Sequence, residues 1–146
     1  MQSNNRENEW YRITNIDEID SPALVIYKDR VMKNITTSIS MIGDVNRLRP
    51  HVKTHKTKEA TQLMLDAGIT KFKCATIAEA EMLAMINAPD VLLAYQPVGP
   101  KLKRFITLIQ KYPATKFSCL VDNIDSAKNI AGAATENNIG IPLYID

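Results

Sequence analysis

The sequence is short of the features that would identify several common classes of protein. It has only two cysteines among 146 residues, Cys74 and Cys119. Both lie in apolar segments, so we predict buried free thiols rather than a disulfide framework. No apolar run approaches the roughly 20 residues of a membrane span. The first twenty residues are polar and lack the apolar core of a signal peptide, so we expect a cytoplasmic protein.

The net charge and the spacing of the glycines exclude further classes of protein. The formal net charge is +2, which is too small to indicate a nucleic-acid or membrane partner. The five glycines are isolated from one another, so neither the glycine fingerprint of a dinucleotide-binding fold nor a P-loop is present. Ser118 has no histidine in a local motif, so the sequence does not support a serine nucleophile.

What the chain does have is an alternation of short apolar runs and longer amphipathic segments. Six runs predict strands, over residues 22–27, 48–53, 71–75, 91–95, 116–121 and 141–145. Several are apolar at consecutive positions, as is typical of parallel strands that are buried on both faces. The pattern predicts an α/β protein with right-handed crossovers, either an open doubly wound sheet or a (β/α)₈ barrel. A closed barrel needs eight strands, and this chain supplies six.

Local signals predict where the intervening helices begin and end. Helices are expected over residues 30–42, 58–67, 102–111 and 123–137, and from Thr76 onward. Asp29 is placed to cap the first helix and Gly43 to stop it. Gly68 is placed to end the second, and Thr76 with Glu79 has the spacing of a capping box.

Residues 49–57, Arg-Pro-His-Val-Lys-Thr-His-Lys-Thr, carry the strongest chemical signal. The chain's two histidines, His51 and His55, each lie two residues from Lys53, and the segment contains no acidic residue. A neutral lysine amine is a nucleophile toward carbonyls, and neighbouring positive charge favours the neutral form. Cationic surroundings also suit a phosphorylated ligand. The segment therefore indicates a lysine that holds an aldehyde cofactor carrying a phosphate, and the alternative is an exposed basic loop.

The predicted strand gives this segment a geometry. Lys53 ends the strand, where (β/α) folds place their active sites. On a strand, His51, Lys53 and His55 share one face, which would direct Lys53 into the mouth of a barrel if that face looks inward. The two histidines would then lie about 13 Å apart, too far to share one zinc ion. We therefore predict no metal ligands here, and expect His51 to contact a cofactor or to have a structural role.

Polar side chains also follow the later predicted strands. Tyr95 and Gln96 end the fourth strand, and polar groups at such ends suit ligand contact as well as they suit a loop cap. Asp122 and Asp146 stand at the ends of the fifth and sixth strands, where each is as suited to capping a turn as to chemistry.

Residues 48–56, Leu-Arg-Pro-His-Val-Lys-Thr-His-Lys, resemble the cofactor-lysine motif of the D-threonine aldolase and D-serine dehydratase family. These are fold-type III pyridoxal-phosphate enzymes, similar to the N-terminal barrel of alanine racemase. Supporting resemblances extend over nearly the whole chain from about residue 18. They lie in residues 20–25, 29–35, 74–81, 90–97 and 142–146.

The resemblance implies a fold and a chemistry. Residues 18–146 would form about six of the eight strand–helix units of a parallel (β/α) barrel of the alanine racemase N-terminal type, and residues 1–17 an extension. Lys53 would form a Schiff base with pyridoxal phosphate and act on a D-amino acid, by Cα–Cβ cleavage or by dehydration. His51, Tyr95 and Gln96 are the candidates for contacts with the cofactor.

The resemblance also implies what this chain does not contain. The last two barrel units and a C-terminal β-domain with the divalent-metal ligands are absent, so an N-terminal fragment of a homodimeric enzyme is expected. Such a fragment would bind the cofactor weakly and would have no aldolase activity alone. Three other functions stay open: an amino-acid racemase, a non-catalytic barrel that binds pyridoxal phosphate, and an open-sheet scaffold that presents a basic loop to acidic partners.

Overall fold

A computed structural model describes residues 9–146. Within this range two helices precede a parallel sheet, and one helix follows each of its first three strands. The helices are α1 (Lys28–Ile42), α2 (Lys58–Asp66), α3 (Ile77–Met85), α4 (Pro100–Lys111) and α5 (Ile124–Glu136). The strands are β1 (Lys71–Cys74), β2 (Asp90–Leu93), β3 (Lys116–Val121) and β4 (Leu143–Ile145). They lie in the order β1-β2-β3-β4, and each neighbouring pair is parallel. The predicted α/β class with a parallel sheet is therefore confirmed.

The core lies between the helices and one face of this sheet. Phe72, Val91 and Phe117 are partners across the first three strands, and their side chains are buried among those of the helices. Phe105 of α4 is fully buried and meets Phe117 edge to face, with ring centroids 6.0 Å apart. The opposite face carries the alternate residues of the same strands, because successive side chains on a strand point to opposite sides.

Both cysteines belong to the buried face, as the sequence predicted. Cys74 and Cys119 are free and buried. Burial raises the pKa of the Cys74 thiol to about 12 and that of the Cys119 thiol to about 11. Both thiols therefore stay protonated and inert at neutral pH.

The local signals for helix ends hold at most positions. Gly43 and Gly68 follow α1 and α2 with positive φ angles of 76° and 90°, which glycine adopts at least cost. Thr76 caps α3, and its Oγ1 accepts the Glu79 N–H at 3.1 Å. Asp29 does not cap α1, which begins one residue earlier at Lys28. Its charge instead lies in the first helical turn, where the helix dipole favours it.

The prediction of six strands is wrong at its first two positions. Residues 22–27 form no strand, and Leu24, Val25 and Ile26 are 76%, 42% and 46% exposed. Residues 48–53 meet the sheet through a single bridge, between His51 and Lys73. Within residues 9–146 the sheet therefore has four strands, and its two edges do not meet to close a barrel.

A physical reason for the single bridge lies in residues 48–53 themselves. Pro50 has no N–H to donate to a neighbouring strand. The chain then turns into a 3₁₀ helix at Val52–Thr54, where the amides of His55 and Lys56 bond to the Val52 carbonyl. Residues 22–27 are left without a regular strand edge to pair with.

The segment before α1 packs on the helix through aromatic contacts. The Arg30 guanidinium lies 4.2 Å from the centroid of the Trp10 ring, and Trp10 meets Tyr27 edge to face. Of the predicted extension over residues 1–17, residues 1–8 lie outside the described residues. Among residues 9–146, each helix is too short or too polar to cross a bilayer.

Candidate functional site

Lys53 lies in the middle of the 3₁₀ turn, and the His51 side chain holds that turn. The His51 Nδ1 accepts the Lys53 backbone N–H at 3.2 Å, and the Thr54 hydroxyl donates to the His51 carbonyl at 3.4 Å. Val52 is fully buried beneath the turn. The Lys53 side chain is therefore presented to solvent by a backbone that is anchored on both sides.

His55 repeats the same arrangement one turn later. Its Nδ1 accepts the Thr57 backbone N–H at 3.2 Å, while its Nε2 is buried without a hydrogen-bond partner among residues 9–146. The expected strand geometry, in which His51, Lys53 and His55 share one face, is wrong because the chain turns at Val52. Each histidine instead caps the backbone two residues further on, a role that residue type and spacing did not reveal.

The turn lies at the carboxyl edge of the sheet. His51 pairs with Lys73 of β1, and Lys73 pairs with Leu92 of β2. Lys53 follows His51 by two residues, and Tyr95 follows Leu92 by three, so both lie beyond the same ends of parallel strands. This is the side on which parallel α/β folds assemble their ligand sites.

Tyr95 and Gln96 lie together at that edge. With Asp122 and Asp146, which follow β3 and β4, they line a cavity of about 150 Å³. The Gln96 Oε1 is buried with no hydrogen-bond partner among residues 9–146, and so could accept a bond from a ligand. Burial raises the pKa of the Tyr95 phenol, which therefore remains a hydrogen-bond donor at neutral pH. Lys53 does not line this cavity.

Glu79 is the site residue that sequence reasoning underrated. Its carboxylate is buried at the start of α3, where Oε2 accepts the Ala75 N–H at 2.7 Å. Oε1 lies 3.9 Å from the Lys56 Nζ, and the carboxylate acts on both histidines, favouring their charged forms. The basic segment thus has an acidic neighbour that its own sequence lacks. A glutamate three residues after a helix cap was the available signal, but it indicated only a capping role.

Both histidines are held neutral. Burial is the largest cause of the lowered pKa of His51, followed by the positive charges of Lys53 and Lys73. Burial is also the largest cause of the lowered pKa of His55, and the negative charge of Glu79 opposes it. A neutral ring has one unprotonated nitrogen, which is what the bond to the Lys53 amide requires.

No cluster of three or more histidine, cysteine, aspartate or glutamate side chains in residues 9–146 is arranged to hold a metal ion. Both Nδ1 atoms already accept backbone amides, which leaves each histidine one ring nitrogen for any other contact.

The chain is similar in sequence and in fold to known proteins. No protein-family model matches the chain. D-threo-3-hydroxyaspartate dehydratase of Delftia sp. (strain HT23) is 29% identical over 129 residues, which are 88% of this chain and 33% of that protein. The chain therefore spans about a third of the length of this curated relative.

Solved structures give the same result. The D-threonine aldolase of Filomicrobium marinum superposes with a TM-score of 0.79 at 25% identity, over 89% of this chain and 35% of its own. An alanine racemase-like protein from Idiomarina loihiensis superposes with a TM-score of 0.77 at 31% identity, over the same shares. These shares are consistent with the expected N-terminal fragment. The predicted resemblance is confirmed, and the chain is a homologue, over about a third of their length, of D-amino acid dehydratases and aldolases with an alanine racemase-like fold.

Proposed function

We propose that this chain is the lysine-bearing part of a pyridoxal-phosphate-dependent lyase that acts on D-amino acids, of the D-threonine aldolase or D-serine dehydratase type. The observation that carries the proposal is the presentation of Lys53. Its side chain is exposed, its backbone is anchored by His51, and it follows the carboxyl edge of a parallel sheet. The dehydratase and the aldolase among its relatives support the reaction class.

The donor set fits the cofactor. An aldehyde needs an amine that it can reach, and Lys53 supplies one. A polar ring substituent needs hydrogen-bonding partners, and the Tyr95 hydroxyl lies at the same edge as the Gln96 Oε1, which has no partner within residues 9–146. Bound pyridoxal phosphate supplies an electron sink for negative charge at the substrate Cα.

In this proposal each residue has one task. Lys53 binds the cofactor covalently through Nζ. His51 fixes the position of the Lys53 backbone, and its remaining ring nitrogen carries a proton that can be donated to a ligand. Tyr95 donates from its protonated hydroxyl, and Gln96 accepts at Oε1.

Chemical trapping tests this assignment. The 146-residue chain is mixed with pyridoxal phosphate, reduced with borohydride and mapped by peptide mass. We expect the label on Lys53, and its loss in Lys53→Arg, which keeps the charge but is a far weaker nucleophile. Lys56→Arg is the matched control and should still be labelled at Lys53. Label spread evenly over the chain's other lysines would contradict the proposal and favour a basic scaffold.

We further propose that these 146 residues bind the cofactor weakly and catalyse no turnover by themselves, because they span about a third of the length of their relatives. Steady production of glycine from D-threonine, or of pyruvate from D-serine, by the purified chain would contradict this. In this proposal, the ligands of any divalent metal belong to other parts of a longer protein. Homodimer formation and a cytoplasmic location stay predictions, and sedimentation of the purified chain checks the first.

An amino-acid racemase is a second candidate, because the racemase-like Idiomarina loihiensis protein has 31% identity to this chain. Lys53 would hold the cofactor in that case too, so trapping does not separate the two. Incubation of the longer parent protein with a single D-amino acid does, since a racemase yields the L-enantiomer and a lyase yields a carbonyl product.

A further inference from the structure

Lys73 is a lysine on the face of the sheet opposite the main core, and it lies directly beside His51. The two residues are partners across the bridge, and the Lys73 N–H donates to the Pro50 carbonyl at 2.9 Å. Partner residues on neighbouring strands project to the same side of the sheet. Lys73 is half-buried, and the salt bridges recorded among residues 9–146 do not include it.

The bond from the Lys53 amide to the His51 ring exists only in one protonation state. A backbone N–H is a donor, so the Nδ1 that accepts it must carry no proton. If His51 takes up a second proton, both ring nitrogens become donors and the bond at 3.2 Å is lost. The position of the Lys53 turn therefore depends on the charge of the histidine beside it.

Three charged groups face His51 from the elements around it. Lys53 belongs to its own turn, Lys73 to β1 and Glu79 to α3. Burial is the largest cause of the lowered pKa of His51, the two lysines act in the same direction, and Glu79 opposes them. Of the two lysines, Lys73 is the one that the proposed covalent chemistry does not use.

We propose that Lys73 is a positioning residue for Lys53 and acts through His51: its positive charge disfavours a second proton on the imidazole, so that Nδ1 continues to accept the Lys53 amide. The importance of Lys53 in this inference rests on the proposed function, whereas the coupling between the three residues does not. The effect is specific to one histidine. His55 caps Thr57 with the same geometry, yet Lys73 is not among the groups that act on it.

The chain is suited to a direct test by NMR, because it has only two histidines. Their ring resonances are followed from about pH 8 to about pH 5 without cofactor, and are assigned with His51→Asn and His55→Asn. The Lys53 backbone amide is followed in the same samples. In the unmodified protein we expect the Lys53 amide shift to change with the midpoint of His51 and not with that of His55.

Lys73→Gln removes the charge and should shift the His51 and Lys53 midpoints upward together, with His55 unchanged. Lys73→Arg keeps the charge and should restore both. Lys71→Gln is the matched control, because it lies on the same strand and face but donates to the Asn46 carbonyl, and it should change neither midpoint. Added salt, which screens the lysine charges, should raise the His51 midpoint even if Lys73→Gln fails to fold.

Two results would overturn the inference. One is a Lys53 amide that does not respond while His51 titrates. The other is an unchanged His51 midpoint in Lys73→Gln, or in the unmodified protein with added salt if that variant does not fold.

Borohydride trapping repeated across the same pH range distinguishes failure of this inference from failure of the cofactor assignment. Absence of label on Lys53 at every pH would contradict the cofactor assignment and leave the NMR result standing. If Lys53 is labelled, its labelling should fall below the His51 midpoint, and in Lys73→Gln that fall should begin at a higher pH.

Discussion

Two regions of this chain have similar sequence patterns and different packing. In residues 69–141 the strands are buried against their helices, and most strand residues facing α3, α4 and α5 are less than 5% exposed. In residues 9–57 the apolar run at 22–27 is largely exposed, and Ile35 and Val52 are the fully packed apolar side chains. A groove of about 690 Å³ is lined by residues 25–27 on one wall and residues 48–50 on another.

The difference shows that an apolar run becomes a strand only where a neighbour offers a regular edge. β2 has such a neighbour on each side, and each of these pairings runs over four residues. Residues 22–27 have apolar side chains of the same kind, but the nearest candidate partner, residues 48–53, contains a proline and ends in a 3₁₀ turn. The two runs therefore share apolar side chains and differ in the geometry of the neighbouring chain.

The prediction with the largest expected effect on stability replaces one apolar side chain in each region. Phe105→Ala empties a fully buried site against Phe117 and should lower the free energy of unfolding by about 3–5 kcal/mol. Leu24→Ala, at a side chain that is 76% exposed, should change it by less than about 0.5 kcal/mol. Urea unfolding of both variants measures the difference. A comparable loss in Leu24→Ala would mean that residues 22–27 are packed in solution.

A second test addresses the contact that joins the two regions. The Arg49 Nη1 lies 2.6 Å from the Asp90 Oδ1 and also donates to the Phe72 carbonyl at 3.3 Å. Both charged side chains are about four-fifths buried, at 22% and 17% exposure. Arg49→Ala leaves a carboxylate and a carbonyl poorly solvated, and should cost about 1–3 kcal/mol.

The matched control for Arg49 is an ion pair within the packed region. The Lys111 Nζ lies 2.7 Å from the Glu81 Oε1, but the two side chains are 58% and 40% exposed. Water and salt screen such a pair, so Lys111→Ala should cost much less than Arg49→Ala. If urea unfolding shows that both variants lose the same free energy of unfolding, Arg49 does not hold residues 48–50 onto the sheet.

The same contrast explains which parts of the fold the sequence could predict. The cap of α3 depends on Thr76 and Glu79, three residues apart, and was predictable because both partners lie in one short segment. Strand pairing at residues 22–27 depends on a segment more than twenty residues away, so the local pattern could not decide it. The sheet between β1 and β3 was predictable because its strands all have regular neighbours.

The candidate site divides in the same way. The residue types around Lys53 were enough to make this segment the candidate, and the predicted strand ends placed Tyr95 and Gln96 at the carboxyl edge of the sheet, where the structure also has them. The turn at Val52 and the bond from the Lys53 amide to His51 were not predictable, because a histidine acting as a backbone cap has no spacing signature. Glu79 and Lys73 approach the segment only through the fold, so their charges were invisible from residues 49–57.

The smallest expected effect concerns the histidines of the loosely packed region and the dependence of stability on pH. The pKa values of His51 and His55 are both below the usual value of 6.5, so the unfolded chain binds more protons than the folded chain near that pH. Their contribution to stability is therefore fully present above about pH 6.5 and is lost as the pH falls toward the folded-state values. Urea unfolding between about pH 7 and about pH 5 measures how steeply the free energy of unfolding depends on pH.

In His51→Asn and His55→Asn the amide oxygen can still accept the backbone N–H but does not titrate, so each variant should make this dependence less steep. Phe105→Ala provides the control, because it lowers stability in the packed region and should leave the slope unchanged. A slope that the two asparagine variants do not alter would show that acid sensitivity arises outside residues 51–55.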